Sequence, residues 1–191
     1  MAHQLINTPV QLHTDIDRLD QLIAGVAAQD SEALAGLYRE TSAAIYAFAL
    51  SMLKNTHDAE DALHDSYLLI HSAAGSYHST GKPMAWILTI TRNLCLQKLR
   101  SRQRTADIPE EDWEPYLQSR EGLSLEDQMV LRVCMDRLSD AERQIVVLHS
   151  VVGFRHREIA ATMHLPLPTV LSKYNRAIKK LNTYLSEGGQ K

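Results

Sequence analysis

Residues 153–170 read GFRHREIAATMHLPLPTV, and this stretch decides the fold of the C-terminal part of the chain. Ile159, Ala160, Met163 and Leu165 supply packing for a short helix from His156 to His164. Ala160 is small enough for a second helix to cross closely. Leu165-Pro166-Leu167-Pro168 reads as a turn, and Pro168 presets the backbone for a helix starting near Thr169. Val170 then packs back on the same core. This is a helix-turn-helix layout. The second helix of such a unit lies in the major groove of DNA, with its N-terminal residues at base edges. Thr169, Ser172, Lys173 and Arg176 fall on one face by helical spacing. The hydroxyls suit bases or phosphates, and the cations suit phosphates or guanine edges. A hairpin whose charges were merely solvated should mix signs, whereas this one is nearly all basic past Glu158.

Upstream, Ser139 followed three residues later by Glu142 is a capping box that opens a helix to about Val152, ended by Gly153. Leu125 to Leu138 is helical by periodicity. Nearer the N-terminus, Ile16, Leu19, Leu22, Ile23 and Val26 mark a first helix. Asp30 or Ser31 caps a long second one, and Asn55 or Thr56 caps a third that runs to about Ala74. Asp58, Glu60 and Asp61 crowd the third helix's first turn, where carboxylates favour the positive end of the dipole. Gly75 to Lys82 reads as a loop. Pro83 then opens a fourth helix with Trp86, Ile87, Ile90, Leu94 and Leu99 on its apolar side. Trp86 reads as a core residue.

The pattern breaks from Thr105 to Ser124, which holds Pro109, Pro115, Gly122 and most of the local acids. The fold class expected is all-α, two small helical domains on a flexible acidic linker. The organisation is a tail over 1–14, a domain over 15–106, a linker over 107–125, a second domain over 126–185 and a tail over 186–191. A hydrophobic share of 45% is enough for a core, and sparse glycine and proline suit helices better than a sandwich or barrel.

A net charge of −3 looks wrong for a DNA-binding chain, but the charge is segregated. Arg92, Lys98, Arg100, Arg102 and Arg104 follow one another without an acid. Eight acids lie between Asp107 and Asp127 against Arg120 alone. Arg155, Arg157, Lys173, Arg176, Lys179 and Lys180 then face Glu158. Two cationic surfaces flanking an anionic tether can each meet phosphate while the whole chain stays acidic.

Other function classes find little support. No apolar run nears the ~20 residues of a membrane span, and Met1 to Asp15 lacks a signal-peptide layout. A cytoplasmic protein without membrane insertion is expected. Cys95 and Cys134 fit no zinc or redox spacing. His57, His64, His71 and His78 recur every seven residues, about 10.5 Å of helix rise, too far for two ligands of one ion. No metal, cofactor or catalytic residue is assigned, because no nucleophile or glycine-rich phosphate loop accompanies the acids.

Two blocks carry a family resemblance. Asp140 to Leu181, with Gly153-Phe154, Glu158-Ile159-Ala160, Thr169-Val170, Ser172-Lys173 and Arg176-Ala177, resembles region four of the extracytoplasmic-function group of sigma-70 RNA polymerase sigma factors. Leu37-Tyr38, Ile45-Tyr46, Phe48-Ala49, Asp58-Ala59-Glu60-Asp61 and Ala85 to Leu94 resemble region two. The resemblance spans about Ser31 to Leu185, with a linker of the right length between the blocks.

It implies three tasks. Core RNA polymerase is met by the helix after Asp58 to Asp61, where Asp61, His64 and Asp65 share an exposed face. Gln then Glu is usual there, and His64 adds pH sensitivity. Unpaired bases of the minus-ten element are captured by the loop from Tyr77 through Lys82, with Arg92, Asn93 and Lys98 along the strand. Pro83 stands where the family often has an aromatic, so Tyr77 is expected to stack instead. The minus-thirty-five duplex is read by Thr169, Ser172, Lys173 and Arg176. Leu171, Asn175 and His149 depart from residues usual in the family, which predicts fewer phosphate contacts and more sequence-dependent binding. The linker would thread a polymerase channel, and in the free protein its acids are expected to fold back on the basic helices.

The implied partners are core RNA polymerase, promoter DNA and an anti-sigma factor, with the chain itself a monomer. Two alternatives stay open on the residues alone. One is a stand-alone helix-turn-helix regulator that binds duplex DNA without polymerase. The other is a sigma-like polymerase adaptor or antagonist.

Overall fold

The computed structural model describes residues 16–79, 81–105 and 136–188. The linker over 107–125, with its acids, lies outside them, as does nearly all of the helix expected over Leu125–Leu138. The described elements are α1 (Ile16–Ala27), α2 (Ser31–Leu53), α3 (Thr56–Ala73), a 3-10 turn (Ala74–Ser76), α4 (Pro83–Thr105), α5 (Asp140–Ser150), α6 (His156–Met163) and α7 (Leu167–Gly188). The fold is all-α, as the periodicity requires.

Helix α2 is the hub. The Asp30 carboxylate accepts the Glu32 N–H at 2.9 Å and starts it. From Ala44 to Leu53 almost every side chain is buried, so the helix needs neighbours all round. Helix α1 crosses it closely because two glycines permit it. A Cβ on Gly25 would lie 2.5 Å from Ala33 Cβ, and one on Gly36 2.8 Å from Leu22 Cδ2. Lys54 ends α2 in the left-handed region (φ 56°), and Asn55 caps α3 by accepting the Asp58 N–H at 3.0 Å. Thr41 on α2 donates to the Leu37 carbonyl, and its hydroxyl lies 2.7 Å from the buried Tyr67 hydroxyl of α3. Helix α4 closes this unit. Ile87, Leu88 and Cys95 are fully buried, and burial pushes the Cys95 thiol up to about 12, which leaves it inert. Arg102 turns inward from α4, ion-paired with Asp58 and donating to the Leu53 carbonyl.

The capping box at Ser139 and Glu142 opens α5 as its residues demand. Burial alone would raise the Glu142 carboxyl. Lys180, 2.7 Å away, and the Ser139 N–H and hydroxyl outweigh it and hold the group below the usual carboxylate value. Helix α5 also packs on α2, and Ile145 and Leu148 join Met52 and Leu53 in one apolar core. Arg143 lies at this junction, only 1% exposed. It donates to the Ser51 carbonyl at 3.5 Å and to the Leu138 carbonyl at 3.0 Å, with Asp140 at 3.2 Å. Lys54 meets the same Asp140 at 3.2 Å.

Helices α6 and α7 form the helix-turn-helix. His164 takes the left-handed conformation (φ 54°). The Leu165 N–H donates to the Ala160 carbonyl at 3.0 Å and the His164 N–H to the Ala161 carbonyl at 3.3 Å, a Schellman end. Helix α7 begins at Leu167, two residues earlier than the sequence suggests. The Pro166 carbonyl accepts the Thr169 and Val170 N–H groups, and Pro168 sits in the first turn, where its missing donor costs nothing. Val170, Ala177 and Leu181 form the buried stripe of α7.

Three rings lock α5, α6 and α7 together. His149 lies 4.7 Å from His156 in a stacked pair, and each meets Tyr174 edge-on at 4.8 Å. The His149 Nδ1 is 2.9 Å from the Phe154 carbonyl, so this ring is spent inside the unit and not on phosphate. Burial, and then His149, hold His156 below the ordinary histidine value, and its Nε2 is buried without a hydrogen-bond partner.

Two stability predictions follow from these contacts. Arg143→Ala strips the Ser51 and Leu138 carbonyls of a donor and should cost about 2 kcal/mol in denaturant unfolding. Arg143→Lys should recover only part, since a single ammonium nitrogen replaces the two guanidinium nitrogens that reach the two carbonyls separately. For His156 the folded state favours the neutral ring. Its stabilising effect is therefore full above about pH 6.5, the ordinary value, and declines as pH falls from there toward the folded value. Thermal melts from about pH 8 down to 5 should show that decline, and His156→Phe should flatten it.

Candidate nucleic-acid and polymerase interfaces

Thr169, Ser172, Lys173 and Arg176 share a face of α7 that flanks its buried stripe. Ser172 and Arg176 are exposed, and Thr169 and Lys173 are half-buried at the near end of the helix. The structure therefore brings all four predicted residues to one surface. Leu171 is 40% exposed and Asn175 is exposed as well, but helical spacing turns both away from Lys173. Lys179 is also exposed, whereas Lys180 turns to Glu142. The basic run of the sequence is thus partly structural.

The acidic face of α3 is equally well defined. Asp61 and His64 are exposed and Asp65 half-buried, one and two turns before Leu68. Leu68 is 69% exposed and Leu69 44% exposed, the largest apolar surface on this helix. Sequence reasoning missed both leucines, because an apolar residue at helical spacing reads as core. The available signal was register, since Leu68 is seven residues from Asp61 and shares its face. Carboxylates beside uncovered leucines suit a protein partner with cationic and apolar groups.

The expected minus-ten residues divide. Asn93 is exposed and Arg92 half-buried on α4, and Lys82 is exposed just before that helix. Thr89, Gln97 and Arg100 extend the Asn93 stripe, a set the sequence reading left unassembled. Lys98 lies elsewhere, with its Nζ 3.4 Å from Asp61 and 3.8 Å from Asp65. Tyr77 points inward. Its ring lies 4.7 Å from Trp86, and its hydroxyl donates to Asp20 Oδ1 at 2.6 Å. Pro83 is buried beneath this loop. Trp86 is half-buried against the core.

No helix among the described residues is long and apolar enough to cross a membrane. Residues 37–105 match the family model of sigma-70 region 2, and residues 128–181 that of sigma-70 region 4. The chain is 27% identical over 187 residues to the ECF RNA polymerase sigma factor SigK of Mycobacterium sp. (strain KMS), covering 94% of this chain and 97% of that one. It is 30% identical over 163 residues to the ECF RNA polymerase sigma factor SigE of Mycolicibacterium smegmatis, covering 79% and 61%. Among solved structures, the sigma factor RpoE in complex with the anti-sigma factor NepR from Bartonella quintana aligns with a TM-score of 0.67 at 24% identity, over 78% of this chain and 94% of that chain. CnrH in complex with the cytosolic domain of CnrY aligns with a TM-score of 0.63 at 21% identity, over 91% and 99%. Those two likenesses show a shared fold. The chain belongs to the extracytoplasmic-function group of the sigma-70 family and directs promoter-specific initiation of transcription.

Proposed function

We propose that this chain works as a monomeric, non-catalytic cytoplasmic factor whose two halves divide the labour. Residues 15–106 bind core polymerase and the minus-ten element, and residues 126–185 read the minus-thirty-five duplex. The linker over 107–125 connects them, between tails over 1–14 and 186–191. The observation that carries this reading is the α3 face, where Asp61, His64 and Asp65 adjoin uncovered Leu68 and Leu69. A stand-alone duplex binder has no use for such a docking surface.

On this reading α3 docks on the polymerase, and Lys98 orders the Asp61 and Asp65 carboxylates for it. Arg92 and Asn93 follow the unpaired strand. Thr169, Ser172, Lys173 and Arg176 enter the major groove upstream. An anti-sigma factor is the expected inhibitor, a reading supported by the two structural neighbours, each held in complex with another protein.

Run-off transcription with purified core polymerase on fragmented genomic DNA tests the whole. Discrete new transcripts that share two upstream elements are expected. Core binding without transcripts would mean an adaptor, and duplex binding without core binding would mean a stand-alone regulator. Arg176→Ala should weaken minus-thirty-five binding by about 1–3 kcal/mol and relax preference at one base pair if it reads guanine. Lys173→Ala should instead lower affinity evenly across sequences and flatten the salt dependence by about one unit of slope.

A further inference from the structure

Helix α1 precedes the segment matched by the region 2 model, yet it holds the residues just before α4. The Asp20 carboxylate receives two hydroxyls from that loop. Tyr77 donates to Oδ1 at 2.6 Å and Ser79 donates to Oδ2. Each oxygen serves one donor, so the carboxylate grips the chain at alternate residues. The Tyr77 ring is held from the other side by Trp86. Burial and the Asp20 hydrogen bond push the Tyr77 phenol up to about 12, so it stays a donor at any working pH.

The residue between the two grips is His78. Tyr77 and Ser79 both turn to Asp20, and His78 between them is exposed.

We propose that Asp20 is a positioning residue for the promoter-melting loop, and that His78, not Tyr77, is the ring this loop presents to an unpaired minus-ten base. An imidazole can stack on any base and can also hydrogen-bond to its edge, which gives both affinity and choice. Two charge-assisted hydrogen bonds fix the loop before DNA arrives, so less ordering is required at capture. Tyr77 cannot play this part while its ring lies on Trp86 and its hydroxyl on Asp20. The proposal rests on the minus-ten reading given above.

The test uses holoenzyme reconstituted from core polymerase and the full chain. Transcription is measured from one cognate promoter and from its single-base minus-ten variants. Wild type should discriminate against changes at a defined position. His78→Ala should lose about ten-fold of that discrimination at one position and leave the others intact, and His78→Phe should keep the affinity while losing the choice of base. Asp20→Ala should reproduce the His78→Ala profile at the same position, with core affinity and minus-thirty-five duplex binding unchanged. Should Asp20→Ala fail to fold, Tyr77→Phe removes one of the two donors and should give a weaker loss at that position. Gln21→Ala, exposed on α1, serves as the control and should change nothing. Full discrimination retained by His78→Ala at every position would overturn the proposal. So would a different affected position in Asp20→Ala or Tyr77→Phe. Wild-type holoenzyme that makes no promoter-specific transcript would instead remove the minus-ten reading, and this inference with it.

Discussion

Helix α2 is apolar on every side along its second half, and a helix of that kind has no solvent face to spare. Its burial dictates the placement of the rest. Helix α1 fits against it only through Gly25 and Gly36. Helices α3 and α4 cover two further sides, and α5 reaches its C-terminal end. Two exposed faces remain once this demand is met. The outer side of α3 offers carboxylates and leucines, and the outer side of α4 offers Asn93 and its neighbours.

Charge follows the same division between inside and outside. Arg102 and Lys180 belong by sequence to cationic runs, and Arg143 stands outside them, yet each is tied into the packing. Arg102 ties α4 to Asp58, Arg143 ties α5 to the end of α2, and Lys180 ties α7 to the cap of α5. Buried cations of this sort satisfy backbone carbonyls and carboxylates that would otherwise be left dry. The cations left at the surface are therefore fewer than the runs imply and lie on narrower faces.

The histidines show how position decides chemistry. His149 and His156 are stacked within the C-terminal unit, where the neutral ring of His156 is favoured. His64 and His78 are exposed on surfaces assigned to partners. Nothing in their sequence spacing separates these two groups. Burial does, because an imidazole away from water resists its charge, whereas one in water can take it up or stack on what it meets.

Much of this protein was legible in its residues. Capping at Asp30, Asn55 and Ser139, the periodicity of each helix and the turn at Leu165-Pro166 are local properties, set within a few residues of chain. That Thr169, Ser172, Lys173 and Arg176 share one face of α7 was legible too, because a helix converts spacing into a surface. Tertiary structure alone decided which members of each pattern face inward. Tyr77 read as a free aromatic until Asp20, far away in sequence, was found to accept its hydroxyl. Lys98, expected along the strand, is placed by the packing of α3 beside Asp61 and Asp65. Leu68 and Leu69, apolar residues of a buried-faced helix, are left exposed by the packing of the described helices. Helical spacing fixes which residues share a face, but what that face meets depends on how distant helices pack, and that information is not local.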